Sequence, residues 1–483
     1  MQGNIFTLTF VLSAAAVLAT PAKEMQFLDH NKVREAEVMR INSDEKILWK
    51  AKVYERFKNK PLGHSKNMLG LKDDFAKVYQ DRVDDGTIEV VKASPGFTAP
   101  DTFDSAEAFP ECNKTITDIR DQSNCGCCWA FAAASAASDR MCIASKGKNM
   151  PLSAQDLCFN ANSNGCGGGY LNAAWEFVQS DGIVTGAQQQ PDDGKSDPFK
   201  GMGFCSKFSL PHCHHHGPVG KDPYPAEGAQ GCEKQSSAPG PTSCDSDAKE
   251  PHNDYLNDKY AFTGTVQTYA GEDAMKEAIM SNGPIEVAFT VYSDFENYAG
   301  GIYHQTSNDQ LGGHAVRVVG WGVEKNVSYW KIANSWNKYW GEHGYFRIVR
   351  GKNECGIENQ PTANSGTGEW CKIKTQACGG AESDGTCCKT CGGNCLGTCI
   401  AGKCCAKSKL CGNDACCDSP MWPSGFGSPC CPGSPSKQQC KQSPSDQCCN
   451  DGSVCKIGTK CCNGKCCSAS ETCTNNVCKP FRL

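Results

Sequence analysis

The sequence predicts an α+β fold of two packed lobes, one mainly helical and one built on antiparallel, barrel-like sheet, followed by small disulfide-rich modules. Three observations carry this. First, between residues 98 and 363 the helix-like segments come early and the strand-like segments late, an order that suggests separate layers of helix and sheet. Second, the chain has 36 cysteines in 483 residues, and 24 of them follow residue 365. Third, residues 20–97 are polar and contain no cysteine at all, so the chain changes character at least twice.

The elements follow in order. Residues 5–19 are apolar or small and end in Ala16-Val17-Leu18-Ala19, the pattern of a cleavable secretory signal, assigned to 1–19. Residues 32–42 and 44–56 interleave charges with apolar residues and predict two helices. The Ala-rich stretch 128–143 and the stretch 171–178 predict helices, while 286–292, 315–321, 329–333 and 345–349 predict strands. A groove between two such lobes is a natural substrate site. Ser365-Gly366-Thr367-Gly368 has the composition of a flexible linker.

Composition narrows the class. Cytosolic proteins keep their thiols reduced, so this cysteine content points to an oxidising, secretory compartment, a vacuole- or lysosome-like vesicle or the exterior. A formal net charge of −5 gives no reason to expect a nucleic-acid partner. Beyond the signal, no stretch has the length of continuous apolar residues that spans a membrane. Asn113-Lys114-Thr115 and Asn326-Val327-Ser328 are glycosylation sequons.

The chemistry centres on Gln122-Ser123-Asn124-Cys125-Gly126-Cys127-Cys128-Trp129-Ala130-Phe131. A cysteine that opens a helix faces unpaired N–H groups and the positive end of the helix dipole, which favour the thiolate. Such a nucleophile needs a base. Gly312-Gly313-His314-Ala315-Val316 supplies an imidazole at the mouth of a strand, flanked by glycines that leave room beside it. Twenty residues on, Asn334 offers an amide oxygen to orient that ring, and Trp336 could shield the bond from water. Taken singly, a cysteine here is usually half of a disulfide and a histidine before a strand is usually structural.

Over roughly residues 100–361 these motifs resemble the papain family of cysteine proteases, and its cathepsin B group in particular. The resemblance to Gln-x-x-Cys-Gly-x-Cys-Trp-Ala-Phe implies that Cys128 is the nucleophile and that Gln122 donates to the oxyanion hole. It implies that His314 is the base and Asn334 its orienting residue. Asn164-Gly165-Cys166-Gly167-Gly168-Gly169-Tyr170 resembles the strand that binds the substrate backbone, with Gly168 and Gly169 as the matching glycines. Cys125 with Cys166, and Cys112 with Cys142, match family disulfides. Pro211-His212-Cys213-His214-His215-His216 resembles the start of an occluding loop. There His215 and His216 would hold the C-terminal carboxylate of a peptide, with Asp121 pairing the first of them, to give peptidyl-dipeptidase beside endopeptidase activity. A solvated His-rich loop and a weak Zn site are the other readings of that segment. No cofactor and no metal are expected.

The same resemblance extends weakly through residues 20–97, as a propeptide that lies through the cleft in the non-productive direction until cleavage near 96–101. Ile41-Asn42, Trp49-Lys50-Ala51, Phe57-Lys58-Asn59 and Leu69-Gly70 carry it. Expected partners are therefore protein and peptide substrates and the chain's own propeptide as inhibitor.

Three departures stand out. Cys127 replaces the family's Ser, either as a silent small residue or as an oxidation-sensitive neighbour of the nucleophile. Tyr339 replaces an acid that helps anchor the occluding loop, and Asp222-Pro223-Tyr224-Pro225 stands where a second loop cysteine is usual, so endopeptidase activity is favoured. Gln360 stands where cathepsin B has an acid at the floor of the S2 pocket, which should weaken acceptance of Arg. Dipeptidase activity should fade towards neutral pH if His215 pairs with Asp121 only when protonated.

Residues 364–483 repeat double cysteines such as Cys404-Cys405 and Cys461-Cys462 among Gly, Ser, Asn and Lys. Too few apolar residues are present for a core, so disulfides must hold the fold. Disulfide modules loosely similar to granulin, a thiolate metal store and a disordered stalk compete for this tail. A second reading of the whole chain is a catalytically silent protease scaffold whose tail mediates interactions with a partner the sequence does not identify.

Overall fold

The structure is a computed structural model that describes residues 20–161, 164–188, 198–199, 201–210 and 233–370, and short strands between 397 and 480. The signal region, His215 and His216 lie outside the described residues.

Along the chain come α1 (Thr20–Ser43), β1 (Trp49–Ala51), α2 (Phe75–Asp84) and β2 (Ile88–Val91). Then follow β3 (Phe103–Asp104), α3 (Ser105–Ala108), α4 (Asn113–Ile116), α5 (Cys128–Ala144), α6 (Ala154–Asn160), α7 (Leu171–Ser180) and β4 (Ile183–Val184). The later half holds β5 (Lys259–Ala261), β6 (Val266–Tyr269), α8 (Glu272–Asn282), β7 (Ile285–Tyr292), β8 (Tyr298–Tyr303) and β9 (Gln310–Glu324). It closes with β10 (Val327–Ala333), β11 (Tyr345–Val349), β12 (Thr362–Asn364) and β13 (Glu369–Trp370).

Helix α5 is the axis of the molecule. Residues 128–142 are all buried, so it is apolar on every side, as a helix packed all round must be. Its alanines let β7 and β9 approach on one side and α6 and α7 on the other. The main sheet runs β1-β8-β11-β10-β9-β7-β12-β6-β2, with β3 paired to β9. Its centre is antiparallel, as expected, but β8–β11 and β2–β6 are parallel. The barrel-like closure is not found: the path is open, and β1 and β2 from the N-terminal segment cap its two ends.

The segment 44–56, expected as a helix, is instead a turn and an edge strand. The Asp44 carboxylate accepts from the Lys46 N–H at 2.9 Å and turns the chain. Trp49 and Ala51 are then buried on either side of exposed Lys50, a period-two pattern set by pairing with β8. Trp49 joins Tyr298 and Tyr303, with ring centroids 6.0 and 5.2 Å away.

The stretch read as a linker, Ser365 to Gly368, lies between two paired strands. β12 pairs with β6 and β7, and β13 pairs with β5. Strand pairing therefore continues to Trp370. In the tail, antiparallel hairpins place Cys399 opposite Cys404, Cys461 opposite Cys466 and Cys473 opposite Cys478. A Cys467–Cys478 bridge links the last two hairpins.

Candidate active site

Cys128 is the first residue of α5, and its side chain is fully buried and unbridged. His314 lies on β9, opposite Phe289 of β7, and is also fully buried. The backbone N–H of Ala315, the residue after His314, lies near enough to the Cys128 sulfur to favour its thiolate, so the helix start and the strand mouth meet. Asn334, just after β10, accepts at Oδ1 from His314 Nε2 at 2.8 Å. The other ring nitrogen, Nδ1, is buried with no partner among the described residues. Trp336 covers the pair, its ring centroid 5.1 Å from that of His314.

Gln122 is held from three sides. Its N–H donates to the Ser335 carbonyl at 2.9 Å, its Oε1 accepts from the Ser335 hydroxyl at 2.7 Å, and its Nε2 donates to the Cys125 carbonyl at 2.8 Å. Ser335 was not singled out from sequence, although it adjoins Asn334.

A piece of the N-terminal segment occupies the groove. Gln122 Nε2 also donates to the Met68 carbonyl at 2.8 Å, and the Gly70 N–H donates to Cys128 Sγ at 3.2 Å. The Gly169 N–H donates to the Gly70 carbonyl at 2.8 Å, and the Lys72 N–H to the Gly169 carbonyl at 3.3 Å, which makes a parallel bridge of Leu71 with Gly169. Bare backbone is needed on both sides. A Cβ on Gly70 would stand 2.0 Å from the Gly126 oxygen, and one on Gly168, at φ +93°, 2.9 Å from the Gly70 oxygen.

Burial under this segment sets the protonation. It pushes the Cys128 thiol up to about 12, against the N–H groups of Ala315, Gly70 and Trp129. It pushes His314 down to about 4, against the Asn334 hydrogen bond. A helix start by itself favours the thiolate. In this covered form, loss of solvent outweighs the helix end, and both groups are neutral.

Cys125 is bridged to Cys166 and Cys112 to Cys142. Cys127 is bridged to Cys158 of α6, so neither expected role for Cys127 describes it. No spacing rule pointed to Cys158. The sulfurs of Cys125, Cys127 and Cys158 lie within 4.8 Å of one another, but all three are disulfide sulfurs and not thiolate ligands. The Asp121 carboxylate accepts from the Ser123 N–H at 2.7 Å and from Asn337 Nδ2 at 3.3 Å. Tyr339 donates its N–H to Asn337 Oδ1 at 2.9 Å. Gln360 is buried, and its carbonyl accepts from the Thr362 hydroxyl at 3.0 Å.

The profile described as Papain family cysteine protease matches residues 99–365. This chain belongs to that family. It is 38% identical over 329 residues to a cathepsin B-like cysteine proteinase of Schistosoma japonicum, covering 67% of this chain and 88% of that one. It is 38% identical over 355 residues to cathepsin B-like cysteine proteinase 4 of Caenorhabditis elegans, covering 72% of this chain and 97% of that one. Among solved structures, procathepsin B S9 from Trypanosoma congolense matches with a TM-score of 0.54 at 30% identity, covering 69% of this chain and 97% of that one. The chain is thus a cathepsin B-like cysteine protease of papain-like fold, in zymogen form. Among the described residues no helix is long and apolar enough to cross a membrane.

Proposed function

We propose that residues 20–97 are an inhibitory propeptide and that the processed enzyme hydrolyses peptide bonds through Cys128, His314, Asn334 and Gln122. The observation that carries this is the pair of contacts made by residues 68–70: a carbonyl on Gln122 Nε2 and an N–H on Cys128 Sγ. A scissile carbonyl in the place of Met68 would have its developing negative charge met by Gln122 Nε2 and the Cys128 backbone N–H.

Once the groove is open to solvent, Cys128 and His314 regain hydration and exchange a proton to form the thiolate–imidazolium pair. The sulfur attacks the carbonyl carbon, and His314 gives its proton to the departing amine. Water, deprotonated by His314, then cleaves the thioester and restores the thiol. Asn334 holds the ring through Nε2, leaving Nδ1 for the sulfur. The propeptide is silent because residues 68–72 run away from Gln122 towards Gly169 in the N-to-C direction, whereas a substrate would run the opposite way.

We assign residues 98–363, with the strand pair up to 370, to the peptidase domain, 364–483 to a disulfide-stapled tail and 1–19 to a secretory signal. The secretory assignment is supported by four disulfides in the body. Endopeptidase activity is the main activity. Peptidyl-dipeptidase activity, with His215 and His216 holding the terminal carboxylate, is the lesser one, because both Asp121 oxygens are already engaged within the body. Rates on one peptide with a free and an amidated C-terminus test this. Little preference for the free acid is expected, and a strong preference that is lost in His215→Ala would overturn the order. Activity retained in Cys128→Ala would overturn the peptidase assignment itself.

A further inference from the structure

Beyond the backbone contacts, the propeptide sends a side chain into the body that a substrate could replace. Leu71 packs on Gly313, where a Cβ would stand 2.9 Å from the Leu71 Cβ and 3.2 Å from Phe75 Cε1. One helical turn along α2, Tyr79 is 4% exposed. Its hydroxyl meets Thr362 Oγ1 at 2.7 Å in the interior. Thr362 has one hydroxyl proton, and it is given to the Gln360 carbonyl at 3.0 Å. The phenol therefore donates and Thr362 accepts. Thr268 stands opposite Thr362 across the β6–β12 pairing, and its hydroxyl lies near enough to the phenol to act on it.

The wall behind is polar too. Glu286 pairs with Thr362 in register across β7 and β12. Its carboxyl is fully buried, with Oε2 accepting from Trp175 Nε1 at 2.8 Å and Oε1 without a partner among the described residues. It lies close enough to act electrostatically on both Tyr79 and Cys128. Burial holds its carboxyl well above the usual carboxylate range. Thr268, Glu286, Gln360 and Thr362 all belong to the body and remain when residues 20–97 leave.

We propose that the cavity filled by Tyr79 becomes the inner end of the subsite for the second residue before the cleaved bond, and that it selects tyrosine over phenylalanine through the Thr362 oxygen. A phenylalanine ring fills the same space and leaves that buried acceptor unpaired, a penalty that polar pockets use to reject an analogue lacking the hydroxyl. The inference rests on the peptidase reading above.

The test uses the processed full-length enzyme and three pairs of fluorogenic peptides, with Tyr or Phe at the first, second or third position before the cleaved bond. At the second position Tyr should exceed Phe in kcat/KM by roughly tenfold. In Thr362→Val the preference should fall, and in the Thr268→Val/Thr362→Val double variant the two should become equal. Equal handling at all three positions, a preference confined to the first or third, a preference undiminished in Thr362→Val, or one that survives in the double variant overturns the proposal. A second measurement stands apart from catalysis: the peptide of residues 68–92, with Tyr79 or with Tyr79→Phe, is titrated against the processed chain. About tenfold weaker binding of the Phe form supports the pocket, and equal Kd values overturn it. Tight, hydroxyl-dependent binding without any peptide cleavage would sink the peptidase reading and leave the pocket standing.

Discussion

The propeptide and the body beneath it are held by different kinds of bond. The body carries four disulfides among its described residues, and three of them flank the start, middle or end of the segment from 112 to 166 around the nucleophile. Residues 20–97 have no cysteine and are attached by edge strands, a backbone ribbon and buried polar contacts. Arg34, 1% exposed, reaches Glu296 at 3.5 Å and donates to the Lys60 and Pro61 carbonyls at 2.8 and 2.6 Å. The Ser65 N–H donates to Glu296 Oε1 at 2.8 Å. What must leave is held by bonds that water and protons can replace; what must stay is cross-linked.

The largest way to break this contrast is to remove the sulfur that both parts share. Cys128→Ala should lower kcat by on the order of 10⁴–10⁶-fold in a steady-state assay. It should also leave the propeptide uncut by the enzyme itself, with docking weakened only by one hydrogen bond. Next comes Gly70→Val, whose side chain has no room against the Gly126 oxygen. Displacing the ribbon should cost about 1–3 kcal/mol, or roughly tenfold to a hundredfold in propeptide affinity, measured as inhibition by the isolated propeptide. An unchanged inhibition constant would contradict the close approach of the two glycines.

On the body side, the Cys127–Cys158 bridge closes a loop with a sequence separation of 31. Replacing both by Ser should destabilise the body by about 2–4 kcal/mol in denaturant unfolding, with propeptide inhibition retained. The smallest effect is that of pH. His64, in the propeptide, is pushed down to about 3 by burial and by Arg56, Lys60 and Arg34. The released propeptide therefore binds a proton that the docked one refuses. Docking is unpenalised above the free imidazole value near 6.5 and weakens as pH falls below it, by up to about 1.4 kcal/mol per pH unit. Glu37 and Asp294, raised by burial, work the other way, because docking favours their protonated forms. Propeptide Kd measured from pH 7 to 4.5 should rise, and His64→Phe should flatten the rise.

Much of the fold could be read along the chain because its signals are local. α5 stands close to where its run of alanines put it, and α7 and β11 close to where their patterns put them, since each of these signals lies in the segment itself. The misses are long-range. β1 is a strand only because β8, some 250 residues on, offers an edge, and β13 exists only because β5 does. The candidate residues Gln122, Cys128, His314 and Asn334 came from motif order, and they meet because α5 packs on β9. The Cys127–Cys158 bridge, the role of Ser335, the buried acid Glu286 and the neutral state of Cys128 have no local signature. Each depends on which distant element covers the residue.

The most direct test of the central claim is covalent. An epoxide warhead is offered to the full-length zymogen and to the processed enzyme, and labelled peptides are mapped by mass spectrometry. The account predicts no label before processing and one equivalent on Cys128 afterwards. Equal labelling of both forms, or a label on Cys355 with Cys128 untouched, would contradict a nucleophile covered by residues 68–72.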